Sequence, residues 1–506
     1  MNLMEYLIGL DVGTMSMRSI IYDSNGKAIF QSAYEYHSIF TPPGMVEQNT
    51  KDWLNAVHST LKETGEYVKE RGIEISAIAV TSQRASVIPV DRDGNCLYNA
   101  VTWQDKRSVP CCEKLIKQIP MKTIYLKTGL RANPYFSLPK MLWFKENASD
   151  IYKKSYKLLG VQDYVAYLLT GRFVTDWTQA ARTMLLNIST FQWDQDMLKA
   201  SGIDERLLCE LCKPGAKIGG LSGKLAQEVG MKEGIPVILS GGDQPNAALA
   251  LNVLKPGLAE ANTGTGSFVI SYTDKPVFDQ NARVLCSASA VPGKWIMEAG
   301  IFNTGAIYRW FRENFLLEKG VSFDSMNQEA QASPIGSNGV MLLPHFEGSM
   351  APYWNPYAKG MFFNLSLGTK RGDMIRSIME GIAMEIADNL SLIETISGKL
   401  TTVSVAGGMS KSRLFNDIQA NVFNKQVICY SDSEASSRGA VISASVTLGL
   451  YDTYGEAFRH IVGQQVDIYQ PNDINSQKYS KLRRKKRDLY NALNDRGIYQ
   501  EFKNVV

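Results

Sequence analysis

YLIGLDVGTMSMRSIIYD, residues 6–23, and GLAEANTGTGSFVISYTD, residues 257–274, decide the architecture. Each is an apolar run, a polar turn carrying glycine and threonine, and a second apolar run, which is the pattern of two strands joined by a tight turn. In the first copy the runs are Tyr6–Leu10 and Arg18–Tyr22, and Asn25-Gly26 marks a further hairpin turn, so a meander is predicted. A helix pattern starts at Asn49, a favourable N-cap residue, with Trp53, Leu54, Val57 and Leu61 on one face. A buried strand follows at Ile75–Thr81. Downstream of the second copy, TTVSVAGG (401–408) runs from strand into a glycine turn and then into the helix-like SKSRLFNDIQANVF (410–423). Strands covered by helices predict an α/β fold. The repeated unit predicts two related domains, 1–250 and 251–506, divided near Leu251 ahead of Lys255-Pro256-Gly257.

The bulk numbers fit two such cores: 506 residues, 44% hydrophobic and 21% charged. A net charge of +4 gives no electrostatic case for nucleic acid or a membrane as partner. No apolar stretch approaches 18 residues, and MNLMEYLIGLDVG lacks the basic flank of a leader, so a cytoplasmic location is expected. Seven cysteines, an odd number, argue against a disulfide framework. Cys209 and Cys212 form a CxxC in DERLLCELCK, read as one face of a helix rather than a metal site, since too few further ligands accompany it. The basic run Lys481–Arg487 reads as the solvated face of a terminal helix with Leu482, Leu489, Tyr490 and Leu493 inward.

Chemistry concentrates in the turns. In Asp11-Val-Gly-Thr-Met-Ser-Met-Arg18 a glycine lets backbone approach a ligand, while Thr14, Ser16 and Arg18 offer donors to phosphate oxygens. Asp11, at the strand end, suits Mg²⁺. Asn262-Thr-Gly-Thr-Gly-Ser267 repeats this chemistry, and two such turns at matching places imply a nucleotide gripped from both sides. No GxxxxGK[ST] occurs, so this is not a P-loop. Gly241-Gly-Asp-Gln244 lies where the strand PVILS turns into a helix, a common position for ligands and catalysts. Asp243 there is either a helix cap or a base that takes the proton of an attacking hydroxyl.

The chain resembles the FGGY carbohydrate kinases, from the first turn to about residue 450. Tyr135-Phe-Ser-Leu-Pro-Lys-Met-Leu-Trp-Phe-Lys-Glu-Asn147 fits one family signature at every defined position. A second signature matches at 360–380, with Asn364 where glycine is usual. The resemblance implies two duplicated actin/hexokinase-like (ribonuclease H-like) domains flanking an ATP cleft, with Asp243 as base and Asp11 on the metal side. It also implies Thr14, Arg18, Gly264 and Thr265 at phosphates, and Gly407, Gly408 and Ser412 against the adenosine. ATP and Mg²⁺ are the expected cofactors, and a homodimer or homotetramer is compatible with it. A non-enzymatic ATP switch on this fold, like actin or a heat-shock chaperone, would lack both the 135–147 stretch and the GGDQ turn.

Among these kinases the chain is most similar to those acting on glycerol. Arg84, Trp103, Tyr135, Gln244 and Phe268 match glycerol-contacting positions, and aromatic faces with flanking donors suit a polyol. One departure stands out: glycerol kinases carry Glu after the arginine, and here that residue is Ala85. Losing that acceptor and gaining volume predicts a larger acceptor, a four- or five-carbon polyol or ketose. The motif typical of xylulokinases is absent from Ser82-Gln-Arg-Ala-Ser86, which counts against xylulose; the alternative kept is a xylulokinase-type or other ketose or sugar-acid kinase.

Overall fold

The computed structural model describes residues 5–42, 44–316, 320–430, 434–463 and 466–502. The two central sheets share a five-strand core, and Leu285–Ala288 extends the second one along Trp295–Ile301. The first contains β1 (Tyr6–Val12), β2 (Ser16–Asp23), β3 (Ala28–Glu35), β4 (Ile75–Ser82) and β5 (Pro236–Gly242) in the order 3-2-1-4-5. The second contains β6 (Leu258–Thr263), β7 (Ser267–Thr273), β8 (Trp295–Ile301), β9 (Thr402–Ala406) and β10 (Gln426–Tyr430) in the order 8-7-6-9-10. Three antiparallel strands continue into two parallel ones in both sheets. The duplication read from residues 6–23 and 257–274 therefore extends to the whole five-strand unit. Ala216–Gly220 and Val466–Tyr469 add an antiparallel edge to β5 and β10 respectively.

The central strands are buried on both sides, which is why β1 reads as a continuous apolar run rather than an alternation. Ile8, Leu10, Ile78 and Val80 pack under α1 (Thr50–Arg71), whose Asn49 cap accepts from the Lys51 amide at 3.1 Å. Leu7, Ile20, Ala77 and Ile238 point the other way. The gap between the sheets holds α2 (Asp243–Ala250) and a helix from the far end of the chain. The second sheet's outer face is covered by α3 (Arg371–Ser397) and α4 (Arg413–Phe423). That far helix, α5 (Ala435–Thr447), lies against β1, β4, β5 and α2. Such a crossing needs bare backbone: a Cβ on Gly439 would sit 1.9 Å from the carbonyl oxygen of Asn246.

Two readings are corrected. Residues 205–212 are not a helix: a short turn at Glu205–Leu207 leads into a strand, Glu210–Cys212, pairing with Val174–Asp176. Leu207 and Leu208 pack into one core with Leu158 and Ile203, and Cys209 into the core under the first sheet, so the apolar run reflects tertiary contact rather than a helical face. The C-terminal helix α6 (Asp473–Asp495) does turn Tyr490 inward, but its basic run is not simply solvated. Lys486 is buried and bonded to Glu385 and Asp388 of α3, and Arg483 reaches Asp388 at 2.9 Å. Asn364 adopts φ 67°, the left-handed conformation that makes glycine usual at its position.

Candidate active site

β5 ends at Gly241-Gly242, and Gly241, at φ 118°, makes the turn that swings Asp243 to the first position of α2. The carboxylate faces the groove between the halves, with 27% of the side chain exposed. Its Oδ1 accepts the Gln244 amide at 2.8 Å and lies 3.6 Å from Arg84 Nε. Burial raises the Asp243 pKa, and the Arg84 guanidinium draws it part of the way back.

Arg84 follows β4, and Glu298 of β8 answers it from the other half with paired bonds of 3.1 and 3.0 Å. Arg182 holds the same carboxylate. Burial alone would raise Glu298, but Arg182 and Arg84 overcome it and bring its pKa down to about 2. Both arginines are fixed and buried, and one carboxylate links the two halves beneath Asp243.

Tyr135 stands with Trp103, ring centres 5.5 Å apart, and the Trp103 Nε1–H donates to Thr14 Oγ1 at 3.3 Å. The 135–147 stretch is ordered by its own lysine. Lys140, fully buried in the helix Ser137–Asn147, donates to the carbonyls of Pro134, Tyr135 and Phe136 at 2.7, 2.8 and 3.0 Å. Burial pushes that amine down to about 7. Tyr135 and Phe268 line one cavity with Arg182, Glu298, Met350 and Trp354. Ala85 lines a separate, inner cavity with Ser86, Ser137, Asp163 and Gln179. Ala85 itself takes φ 67°, a strained conformation for a residue with a Cβ. The Gln244 Oε1 is buried without a partner.

The turn between β1 and β2 places Asp11, Thr14, Ser16 and Arg18 together. Asp11 is buried at the end of β1, and burial lifts its pKa to about 6 in spite of Arg18, with Asp243 and Glu434 adding to the rise. Arg18 bonds Asp11 Oδ2 at 3.0 Å and, through Nη1, Glu434 at the head of α5 at 2.8 Å. The turn between β6 and β7 opens on a roomy cavity of the groove. Gly264, Thr265, Gly408 and Ser412 line it with Gly305, Tyr308, Phe323 and Met409. Gly407 lies just behind, its Cα facing the Thr263 carbonyl too closely for a Cβ. Ser412 also caps α4, accepting the Phe415 amide at 3.3 Å. The residues assigned from sequence thus fall into three groups: one around Asp243, one at the first turn and one at the cavity of the second.

Sequence reading did not single out Glu298, Arg182, Glu434 or Lys140. The pairs Arg84–Glu298 and Arg18–Glu434 span 214 and 416 residues, and no local pattern announces such partners. Lys140 carried a signal: a lysine one turn into an otherwise buried, apolar helix start.

A duplicated 3-2-1-4-5 sheet with glycine turns at equivalent places, closing on a half-buried acid at a helix start, is the architecture of the actin/hexokinase class. Residues 6–250 match the N-terminal domain, and 259–448 the C-terminal domain, of the FGGY family of carbohydrate kinases. The chain belongs to that family and is a sugar or polyol kinase. It is 33% identical to a glycerol kinase from Thermococcus gammatolerans, over 89% of this chain and 91% of that one. The xylulose kinase of Lactobacillus acidophilus superposes with a TM-score of 0.92 at 27% identity, covering 99% of this chain and 100% of the other. The gluconate kinase of the same organism gives 0.90 at 28%, covering 97% and 98%.

Proposed function

We propose that the enzyme transfers the γ-phosphoryl group of ATP to a hydroxyl of a small polyol or sugar larger than glycerol, with Asp243 as general base. The observation that carries this is the Asp243 carboxylate at the start of α2, 3.6 Å from a fixed Arg84 and facing the groove. An acid whose pKa is raised by burial keeps proton affinity for an attacking hydroxyl, which a fully solvated carboxylate lacks. Arg84, Trp103, Tyr135, Gln244 and Phe268 would surround the acceptor, the aromatic rings covering C–H edges and the unpartnered Gln244 amide oxygen accepting a hydroxyl.

The cavity of the second turn suits the nucleotide, its Gly408 and Ser412 side against adenosine and Gly264-Thr265 towards phosphates. Thr14, Ser16 and Arg18 would take phosphates from the first half. Arg18 must then exchange a carboxylate for a phosphate, since both its terminal nitrogens are occupied. Asp11 offers the oxygen ligand that Mg²⁺ prefers, close to Asp243, and the donor set fits that ion. Bound there, Mg²⁺ would neutralise charge on the phosphates during transfer. The halves 1–250 and 251–506 would divide the work, acceptor and first turn on one side, nucleotide on the other.

The relatives are named for glycerol, xylulose and gluconate, so the acceptor must be argued from the site. Ala85 offers no acceptor beside Arg84 and leaves the volume that a longer side chain would fill, which favours an acceptor longer than glycerol. ADP release measured with glycerol, erythritol, pentitols and ketopentoses should favour the four- and five-carbon acceptors. Ala85→Glu should move the preference towards glycerol by roughly 10-fold. A wild-type enzyme that prefers glycerol strongly contradicts the reading.

A further inference from the structure

The segment Asp176–Thr183 bonds to the stretches that carry Asp243, Arg84 and Tyr135, although the sequence did not mark it as part of the acceptor site. Its fold is a single helical turn, Trp177–Ala180, capped by Asp176, whose Oδ1 accepts from the Thr178 amide at 2.7 Å. The Thr178 hydroxyl donates to the same oxygen at 2.6 Å and so presents its lone pair outward. The Gly242 N–H donates to that lone pair at 2.7 Å, immediately before Asp243. One residue on, Gln179 Nε2 donates to Ser82 Oγ at 3.0 Å and to the Ser82 and Gln83 carbonyls at 3.4 Å, immediately before Arg84. The Arg182 and Thr183 carbonyls accept the amides of Ser137 and Leu138 at 3.2 and 3.0 Å, the first two residues after Tyr135-Phe136. Arg182 closes the set by holding Glu298.

Backbone groups at strand ends and helix starts have no partner of their own and must find one. Here three such places find theirs on one eight-residue segment. Asp176 and Thr178 are fully buried, so solvent cannot substitute for them.

We propose that Thr178, oriented by Asp176, and Gln179 are positioning residues: together they set where Asp243 and Arg84 stand relative to each other. The inference rests on Asp243 and Arg84 acting as proposed above. Fixing a base to within a fraction of an ångström is what converts proximity into rate. Thr178 therefore acts on turnover, through Asp243, and Gln179 on acceptor binding, through Arg84.

Thr178→Val keeps shape but removes the acceptor of the Gly242 amide. Its kcat is expected to fall at least 10-fold, with the KM for ATP within threefold of wild type, and Thr178→Ser should recover most of the loss. Gln179→Leu should raise the acceptor KM about 10-fold and leave the KM for ATP unchanged. Added to Asp243→Asn, Thr178→Val should cost nothing further. A folded Thr178→Val enzyme with kcat within twofold of wild type overturns the proposal, as does a loss that Thr178→Ser does not recover. If Thr178→Val does not fold, an unchanged acceptor KM in Gln179→Leu overturns it. Should Asp243→Asn itself run at the wild-type rate, the base assignment fails, and the Thr178 series still decides whether the segment controls turnover.

Discussion

Asp163 shows how far a single buried group can be pushed. It accepts the Gly160 amide at 2.7 Å beside the inner cavity, and burial, with Asp176 nearby, raises its pKa to about 7 in spite of the Gly160 and Thr175 hydrogen bonds. A carboxyl whose folded pKa lies above its unfolded value adds stability below the unfolded value, near pH 4, and loses it as pH rises through 7. Asp163→Asn keeps an oxygen for Gly160 and removes the charge. It should melt higher than wild type at pH 8, by the equivalent of roughly 2–4 kcal/mol, since each pKa unit is worth about 1.4 kcal/mol. Thermal unfolding at pH 8 and pH 5 measures this, and the difference should shrink at the lower pH. At this scale much was legible: Asp243 in a GGDQ strand-to-helix turn, and Asp11 and Thr14 in the first hairpin. Illegible were the partners that give these residues their properties. Arg84 reads as a polyol contact, but only the fold shows that Glu298 fixes it.

Between elements, one contact holds the halves in register and another pins the last long helix to the second half. Gly439 allows α5 to lie on α2, and a methyl group there meets backbone rather than a yielding side chain. Gly439→Ala should therefore cost on the order of 3 kcal/mol and reduce activity, because α2 carries Asp243. Chemical denaturation with a parallel assay checks both. On α6, Lys486→Met leaves Glu385 and Asp388 without their buried cation and should destabilise by roughly 3–5 kcal/mol. The same denaturation series reads it, and the active site should be unaffected at permissive temperature. The sequence misled at these elements for one reason. Charge runs and CxxC spacing describe only the chain's own face, whereas Lys486 and Cys212 are placed by partners on α3 and on the Val174–Asp176 strand.

Across the whole molecule, the duplicated hairpin was the most informative feature, because a repeated strand–turn–strand implies a repeated sheet and hence a groove lined by equivalent turns. What it could not convey is that the groove is stitched from both sides. Arg18 and Arg84 in the first half are held by Glu434 and Glu298 in the second, so the first turn and the region beneath Asp243 each carry a cross-link between halves. Binding of nucleotide and acceptor must then compete with, or be organised by, carboxylates already in place. The central claim is that Asp243, set in this frame, takes the proton of the acceptor hydroxyl. Its most direct test is ADP release by Asp243→Asn at saturating ATP with the best acceptor of the panel. The account predicts a kcat lower by roughly 10²–10⁴-fold with the KM for ATP little changed, the usual contribution of a positioned base. A variant that turns over at near the wild-type rate contradicts it.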